Sequence, residues 1–156
     1  MKYSIVFPGQ GSQSLGMMSD LRSNFSVVNE IFQEASDAIN VDLWRIVNED
    51  HELLNLTENT QPVMLAAGYA TYKVLDSEVN LMPMSIAGHS LGEYTALVAS
   101  GSLSLFDAVK LVRKRAELMQ AAVPNGAGSM AAILGLDDAR VIEMCLKASD
   151  KGVVEA

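Results

Sequence analysis

Apolar residues alternate at the start of the chain. Tyr3, Ile5 and Phe7 fall on one face of a short strand over Lys2–Phe7, stopped by Pro8-Gly9. The period then changes. Val27, Val28, Ile31, Phe32, Ala35, Ala38 and Ile39 recur near helical spacing and predict an amphipathic helix over Ser26–Ile39. Asn55–Thr60 is polar, and Thr60 can cap a helix that enters through Gln61-Pro62 and runs to about Leu75. That helix (Val63, Met64, Leu65, Ala66, Ala67, Tyr69, Ala70, Tyr72, Val74) is apolar almost all round, which predicts burial. The apolar run Leu81–Ala87 suits a buried strand, followed by a Gly-rich turn at Gly88–Gly92 and a helix from about Glu93 to Ser100. Gly101–Leu105 reads as a loop and about Phe106 to Val123 as a long helix. Pro124–Gly128 collects Pro, Asn and two glycines, the composition of a hinge. Beyond it come a strand over Ser129–Leu134, a helix over Asp137–Ala148 with Asp137 or Asp138 near its cap, and a strand from Val153 onward. Strands alternating with helices indicate an α/β fold with a largely parallel sheet. One β-α-β piece after the hinge cannot enclose a core. It is expected either to dock on the first 124 residues or to open a segment cut short at Ala156, and truncation is favoured.

Composition adds exclusions. Hydrophobic residues make up 49% and charged residues 19% of the 156, which fits a globular chain and excludes a disordered one. No apolar stretch reaches the ~18 residues of a membrane span, and the N-terminus lacks the apolar stretch of a signal peptide. Cys145 is the single cysteine and is expected as a small buried side chain in a helix. These features point to the cytoplasm. The net charge of −8 leaves no basic surface for nucleic acid. The one dense basic cluster is Lys110, Arg113, Lys114 and Arg115, of which the first, second and third read as a solvated helix face.

The strongest chemical signal is Gly88-His89-Ser90-Leu91-Gly92, a G-x-S-x-G pattern between a strand and a helix. A sharp strand-to-helix turn strains its central residue, and flanking glycines let the backbone pass. Ser90 is thereby presented at a helix N-terminus, where free N–H groups can stabilise an oxyanion. The bland alternative is a tight turn with a capping serine. Serine needs a base to be nucleophilic. His89 is adjacent and its side chain diverges, so it is expected to pack or hydrogen-bond beneath the turn. His51 lies in an acidic polar loop and reads as a surface residue. No histidine follows Ser90, as the order of α/β hydrolases would require. Pro8-Gly9-Gln10-Gly11-Ser12, directly after the first strand, can turn a second backbone donor toward the site. It is neither a dinucleotide fingerprint nor a phosphate loop.

Arg115 is the substrate clue. At roughly 100° per residue, Leu111, Val112, Ala116, Leu118, Met119, Ala122, Val123 and Val109 occupy about half of the last long helix. Arg115 falls within that half. A guanidinium there must be paired, by an internal Asp or Glu or by a carboxylate of the substrate.

Phe7-Pro8-Gly9-Gln10-Gly11-Ser12-Gln13, Gln61-Pro62, Gly88-His89-Ser90-Leu91-Gly92-Glu93-Tyr94, Arg115, Met119-Gln120 and Gly128-Ser129-Met130-Ala131-Ala132 resemble the motifs of malonyl-CoA:acyl carrier protein transacylases. The resemblance runs along essentially the whole chain. It implies an α/β fold, with residues 1–124 as the N-terminal part of a hydrolase-like parallel-sheet core. Residues 125–156 would be the start of a small ferredoxin-like subdomain. It implies ping-pong transfer of malonyl from coenzyme A to Ser90 and on to the phosphopantetheine thiol of acyl carrier protein, in fatty acid biosynthesis. No permanently bound cofactor and no metal are expected, and the coenzyme A thioester is substrate. By this likeness the backbone amides of Gln10 and Leu91 form the oxyanion hole, Arg115 pairs with the malonyl carboxylate, and Gln61 and His89 line the site. Lys110, Arg113 and Lys114 are candidates to dock the acidic carrier protein or the coenzyme A phosphates. Members of the family are about twice this length, and their base histidine lies in the other half. The chain alone is therefore expected to be weakly active or inactive. A serine esterase or thioesterase, and an inactive fragment acting only by association, are the competing readings.

Overall fold

A computed structural model describes residues 2–123, 127–128, 130–131 and 133–156. The chain forms two compact units, Met1–Val123 and Pro124–Ala156.

In the first unit, β1 (Ser4–Phe7) pairs in parallel with β2 (Ser85–Gly88), from Ser4 opposite Ser85 to Phe7 opposite Gly88. Between them lie α1 (Ser19–Asn24), α2 (Ser26–Ile39), α3 (Leu43–Glu49), α4 (His51–Asn55) and α5 (Thr57–Val79). After β2 come α6 (Leu91–Ala99) and α7 (Leu105–Ala122). The fold is α/β, mostly helical, with a small parallel sheet. Among the described residues the sheet has two strands, and no helix is long and apolar enough to cross a membrane.

The core lies among α2, α5 and α7. Val28, Phe32 and Ala35 of α2, Val63, Leu65, Ala66 and Ala70 of α5, and Ala108, Val109, Val112 and Ala116 of α7 are all buried. Burying each of the larger side chains contributes about 1.5–3 kcal/mol. The small alanines let α5 and α7 run close together, which fixes the distance between Gln61 and Arg115 described below.

The expected helix at Ser26–Ile39 forms as predicted, ended by Asn40 in the left-handed region at φ 54°. Helix α5 departs from expectation. It starts at Thr57, and Thr60 does not cap it: its hydroxyl donates to the carbonyls of Leu54 (2.6 Å) and Leu56 (3.0 Å). Pro62 is consequently inside the helix. Helix α4 replaces the polar loop expected around His51, and α3 precedes it in a stretch with no predicted element; Asp42 and Asp50 cap them by accepting from the N–H of Arg45 and Leu53, each at 2.9 Å. His51 thus opens α4, and its side chain is exposed.

The strand expected over Leu81–Ala87 is shorter and not buried. Its ladder exists only where β1 supplies partners, and Met82 and Met84 are 78% and 67% exposed. In the second unit, α8 (Asp138–Ala148) is capped by Asp137, which accepts from the Arg140 N–H at 2.9 Å. It buries none of its residues, so Cys145 is half-buried rather than a core side chain. Pro124, Asn125 and Gly126 of the expected hinge, and Ser129 and Ala132 of the expected strand, lie outside the described residues. Met130, Ala131, Ile133 and Leu134, and the segment from Val153, are not in strands. No neighbouring strand pairs with them among the described residues.

Burial and the Glu34 carboxylate push the Tyr69 hydroxyl above its ordinary value near 10. The folded state thus favours the neutral phenol. That contribution is fully present below the unfolded value and is lost as pH rises through the folded one. Tyr69→Phe is expected to flatten the fall in melting temperature above about pH 10. Parallel alkaline melting curves for both proteins would contradict this.

Candidate functional site

The turn between β2 and α6 holds Ser90 at φ 54°, ψ −109°, a conformation that costs a non-glycine residue on the order of 1–3 kcal/mol. Its surroundings enforce it. The His89 N–H donates to Phe7 O (3.2 Å), the Gly92 N–H to His89 O (2.9 Å) and the Glu93 N–H to Ser90 O (3.2 Å). A Cβ on Gly88 would sit 1.9 Å from the Gly92 carbonyl carbon, and one on Gly92 would sit 2.2 Å from Phe7 O. Only glycine fits either position. Ser90 is the N-cap residue of α6, yet its side chain makes no capping hydrogen bond. The bland reading of a capping serine therefore does not hold. The residue is half-buried, so its hydroxyl is not sealed in the interior.

That hydroxyl meets Arg115. Nη2 of Arg115 donates to Ser90 Oγ at 3.0 Å, and Nη1 donates to Gln61 Oε1 at 2.8 Å. The guanidinium carbon lies 5.7 Å from the Tyr94 ring centre, within reach of a cation–π contact. Gln61 is fully buried, and its Nε2 donates to Met119 Sδ at 3.4 Å. No carboxylate pairs with Arg115 among the described residues. The helix placement needs one correction. Leu111, Leu118, Met119 and Val123 are exposed, and the buried seam of α7 is the narrower set Leu105, Ala108, Val109, Val112 and Ala116. Arg115 sits half-buried beside that seam rather than in its centre.

The loop after β1 reaches the same place. A Cβ on Gly9 would lie 3.1 Å from His89 O and 3.8 Å from Ser90 Cβ. The Gln10 side chain donates to Thr57 Oγ1 at 3.2 Å. The His89 side chain is exposed and does not pack beneath the turn; its backbone N–H makes the bond to Phe7 instead. Lys110 lies over the Phe106 ring at 4.1 Å and Lys114 is exposed, as a solvated face requires. Arg113 contradicts that reading, because only 23% of its side chain is exposed and it is bonded to α5. Tyr94 and Met119 were not singled out for a role by residue chemistry. Tyr94 stands one helical turn after Ser90, a spacing that places both on one side of α6.

A guanidinium donates five N–H bonds and accepts no proton. Such a group can stabilise an oxygen anion or bind a carboxylate, but it supplies no base. Residues 4–155 match the family described as "Acyl transferase domain".

The chain belongs to this family.

Among acyl transferase relatives, the chain is 50% identical over 157 residues to a "Malonyl CoA-acyl carrier protein transacylase" of Haemophilus influenzae, covering 99% of this chain and 50% of that protein. The Escherichia coli K12 protein of the same name is 47% identical over 154 residues, covering 98% of this chain and 50% of its own length. The crystal structure of an acyl-carrier-protein S-malonyltransferase from Burkholderia pseudomallei superposes with a TM-score of 0.92 at 54% identity, covering 100% of this chain and 51% of that one. A complex described as a type II PKS acyl-carrier protein with its malonyl-transacylase gives 0.90 at 45% identity, covering 96% and 49%. The chain spans about half the length of the curated relatives it matches.

Proposed function

We propose that this chain supplies the nucleophile, the oxyanion donors and the carboxylate clamp of a malonyl-CoA:acyl carrier protein transacylase of fatty acid biosynthesis. One observation carries the reading: Arg115 donates to Ser90 Oγ at 3.0 Å without a carboxylate partner among the described residues. Malonyl brings a free carboxylate to such a fork, and acetyl does not.

Ser90 Oγ attacks the thioester carbonyl carbon while its proton passes to a base. The carbonyl oxygen becomes an oxyanion facing the N–H groups of Gln10 and Leu91. In support, Leu91 opens α6, where the first N–H groups lack intrahelical acceptors. Neither amide has a protein backbone acceptor among the described residues. The C–S bond then breaks, and the coenzyme A thiolate leaves and takes up the proton. The phosphopantetheine thiol of acyl carrier protein attacks the malonyl-serine ester in turn, and Ser90 regains its proton. Gln61 and His89 line the site. Residues 1–124 are read as part of a hydrolase-like core, residues 125–156 as the start of a ferredoxin-like subdomain, and the cytoplasm as the compartment. Lys110 and Lys114 remain candidates to meet an acidic carrier protein or coenzyme A phosphates.

A serine esterase shares the turn but gives no role to a guanidinium at the hydroxyl. Partition of the malonyl group separates the two: the full-length enzyme is expected to pass most of it to the carrier thiol, and predominant hydrolysis would assign the site to an esterase. The 156-residue chain by itself is expected to transfer malonyl at least ~100-fold more slowly than the full-length enzyme. General-base catalysis contributes about 10²–10⁴-fold, and the group bonded to Ser90 Oγ here is not a base. Turnover close to the full-length rate would refute this.

A further inference from the structure

Pro62 is the sixth residue of α5 and has no N–H, so the carbonyl of Glu58, four residues earlier, loses its helical partner. Arg113 of α7 takes that place. Its Nη1 donates to Glu58 O at 3.1 Å and to Oδ1 of the buried Asn59 at 2.8 Å. Nη2 lies 3.5 Å from the Glu58 carboxylate, and Nε donates to Glu117 at 3.2 Å. Asn59 is held from its other end, since its Nδ2 donates to Leu53 O at 3.0 Å. The side chain is thus a strut between the two helices that carry Gln61 and Arg115.

Helical geometry says what the strut controls. Val112 and Ala116 form the buried seam of α7 against its neighbours. At roughly 100° per residue, Arg113 and Arg115 stand about 80° to either side of that seam. Rolling α7 about its axis is the motion that would part Arg115 from Gln61, and a bond on the opposite flank resists it. We propose that Arg113 is a positioning residue for the Gln61–Arg115 clamp, replacing the N–H that Pro62 lacks and fixing the rotation of α7 against α5. The inference rests on the reading of Arg115 as the carboxylate clamp.

The test uses the full-length enzyme with Arg113→Met, Pro62→Ala and the double variant. Arg113→Met is expected to lower kcat/KM for malonyl transfer about tenfold while acetyl transfer changes less than about twofold. Pro62→Ala returns an N–H to Glu58 O but adds no bond to α7, so the double variant is expected to stay within about twofold of Arg113→Met. Equal losses for malonyl and acetyl, or a double variant that returns to within about twofold of wild type, would overturn the proposal. A crystal structure of Arg113→Met separates failure of the strut from failure of the clamp. An Arg115–Gln61 separation beyond hydrogen-bond reach is expected. A bond retained at its original length would overturn the positioning role, whichever acyl group the enzyme carries.

Discussion

Ser90→Ala is expected to abolish acyl-enzyme formation and to lower malonyl transfer by on the order of 10⁵-fold, the scale of losing a nucleophile from an assembled site. The fold should survive the change. The turn is held by backbone bonds from His89, Gly92 and Glu93 and by the glycine contacts, and the hydroxyl caps no helix. Alanine accepts the left-handed backbone no worse than serine does, because both carry a Cβ. Melting within a few degrees of wild type, with malonyl-CoA still bound, is therefore predicted alongside the lost activity. Residual transfer within tenfold of wild type would remove Ser90 from the mechanism. Unfolding of the variant would instead show that the hydroxyl holds the turn.

Arg115→Ala is expected to act on one substrate and spare another. A malonyl carboxylate on the guanidinium forms charge-assisted, paired hydrogen bonds in a half-buried site. Their loss is worth ~3–4 kcal/mol, a fall of about 10²–10³-fold in kcat/KM for malonyl transfer. Acetyl offers no carboxylate, so its transfer should change by less than about threefold. Arg115→Lys keeps the charge but not the fork, and is expected to recover only part of the malonyl rate. Equal losses for the two acyl groups would mean that Arg115 serves the serine alone.

The parts of this protein that were legible in its sequence share a cause. Ser26–Ile39 carries a clean helical period ending at an asparagine that tolerates the left-handed region, and both ends were readable. Ser90 and Arg115 stood out because each is chemically costly where it is: one in a pinched turn between glycines, the other breaking an apolar helix face. Their contact across 25 positions was not readable, since it depends on how closely α5, α6 and α7 pack. Gln61 entered only through the resemblance, and its burial against Met119 shows why no periodicity marks it as a site residue. Short helices α1, α3 and α4 lack a long apolar period; α3 and α4 form through aspartate caps and buried leucines, and α1 has no side-chain cap. Thr60 was misplaced because its side chain bonds backward to α4 and frees α5 to begin a turn earlier. Arg113 was misread as solvated because nothing in the spacing reveals the carbonyl that Pro62 leaves open beneath it. The strand at Leu81–Ala87 has the right residues but partners for only part of its length.

The most direct measurement is peptide mass spectrometry of the full-length enzyme mixed with equal malonyl-CoA and acetyl-CoA and no carrier protein. A malonyl group confined to the peptide containing Ser90, in large excess over acetyl there, is the predicted result. An acyl group on another residue, or malonyl and acetyl in equal amounts on Ser90, would contradict a serine whose donor is chosen by Arg115.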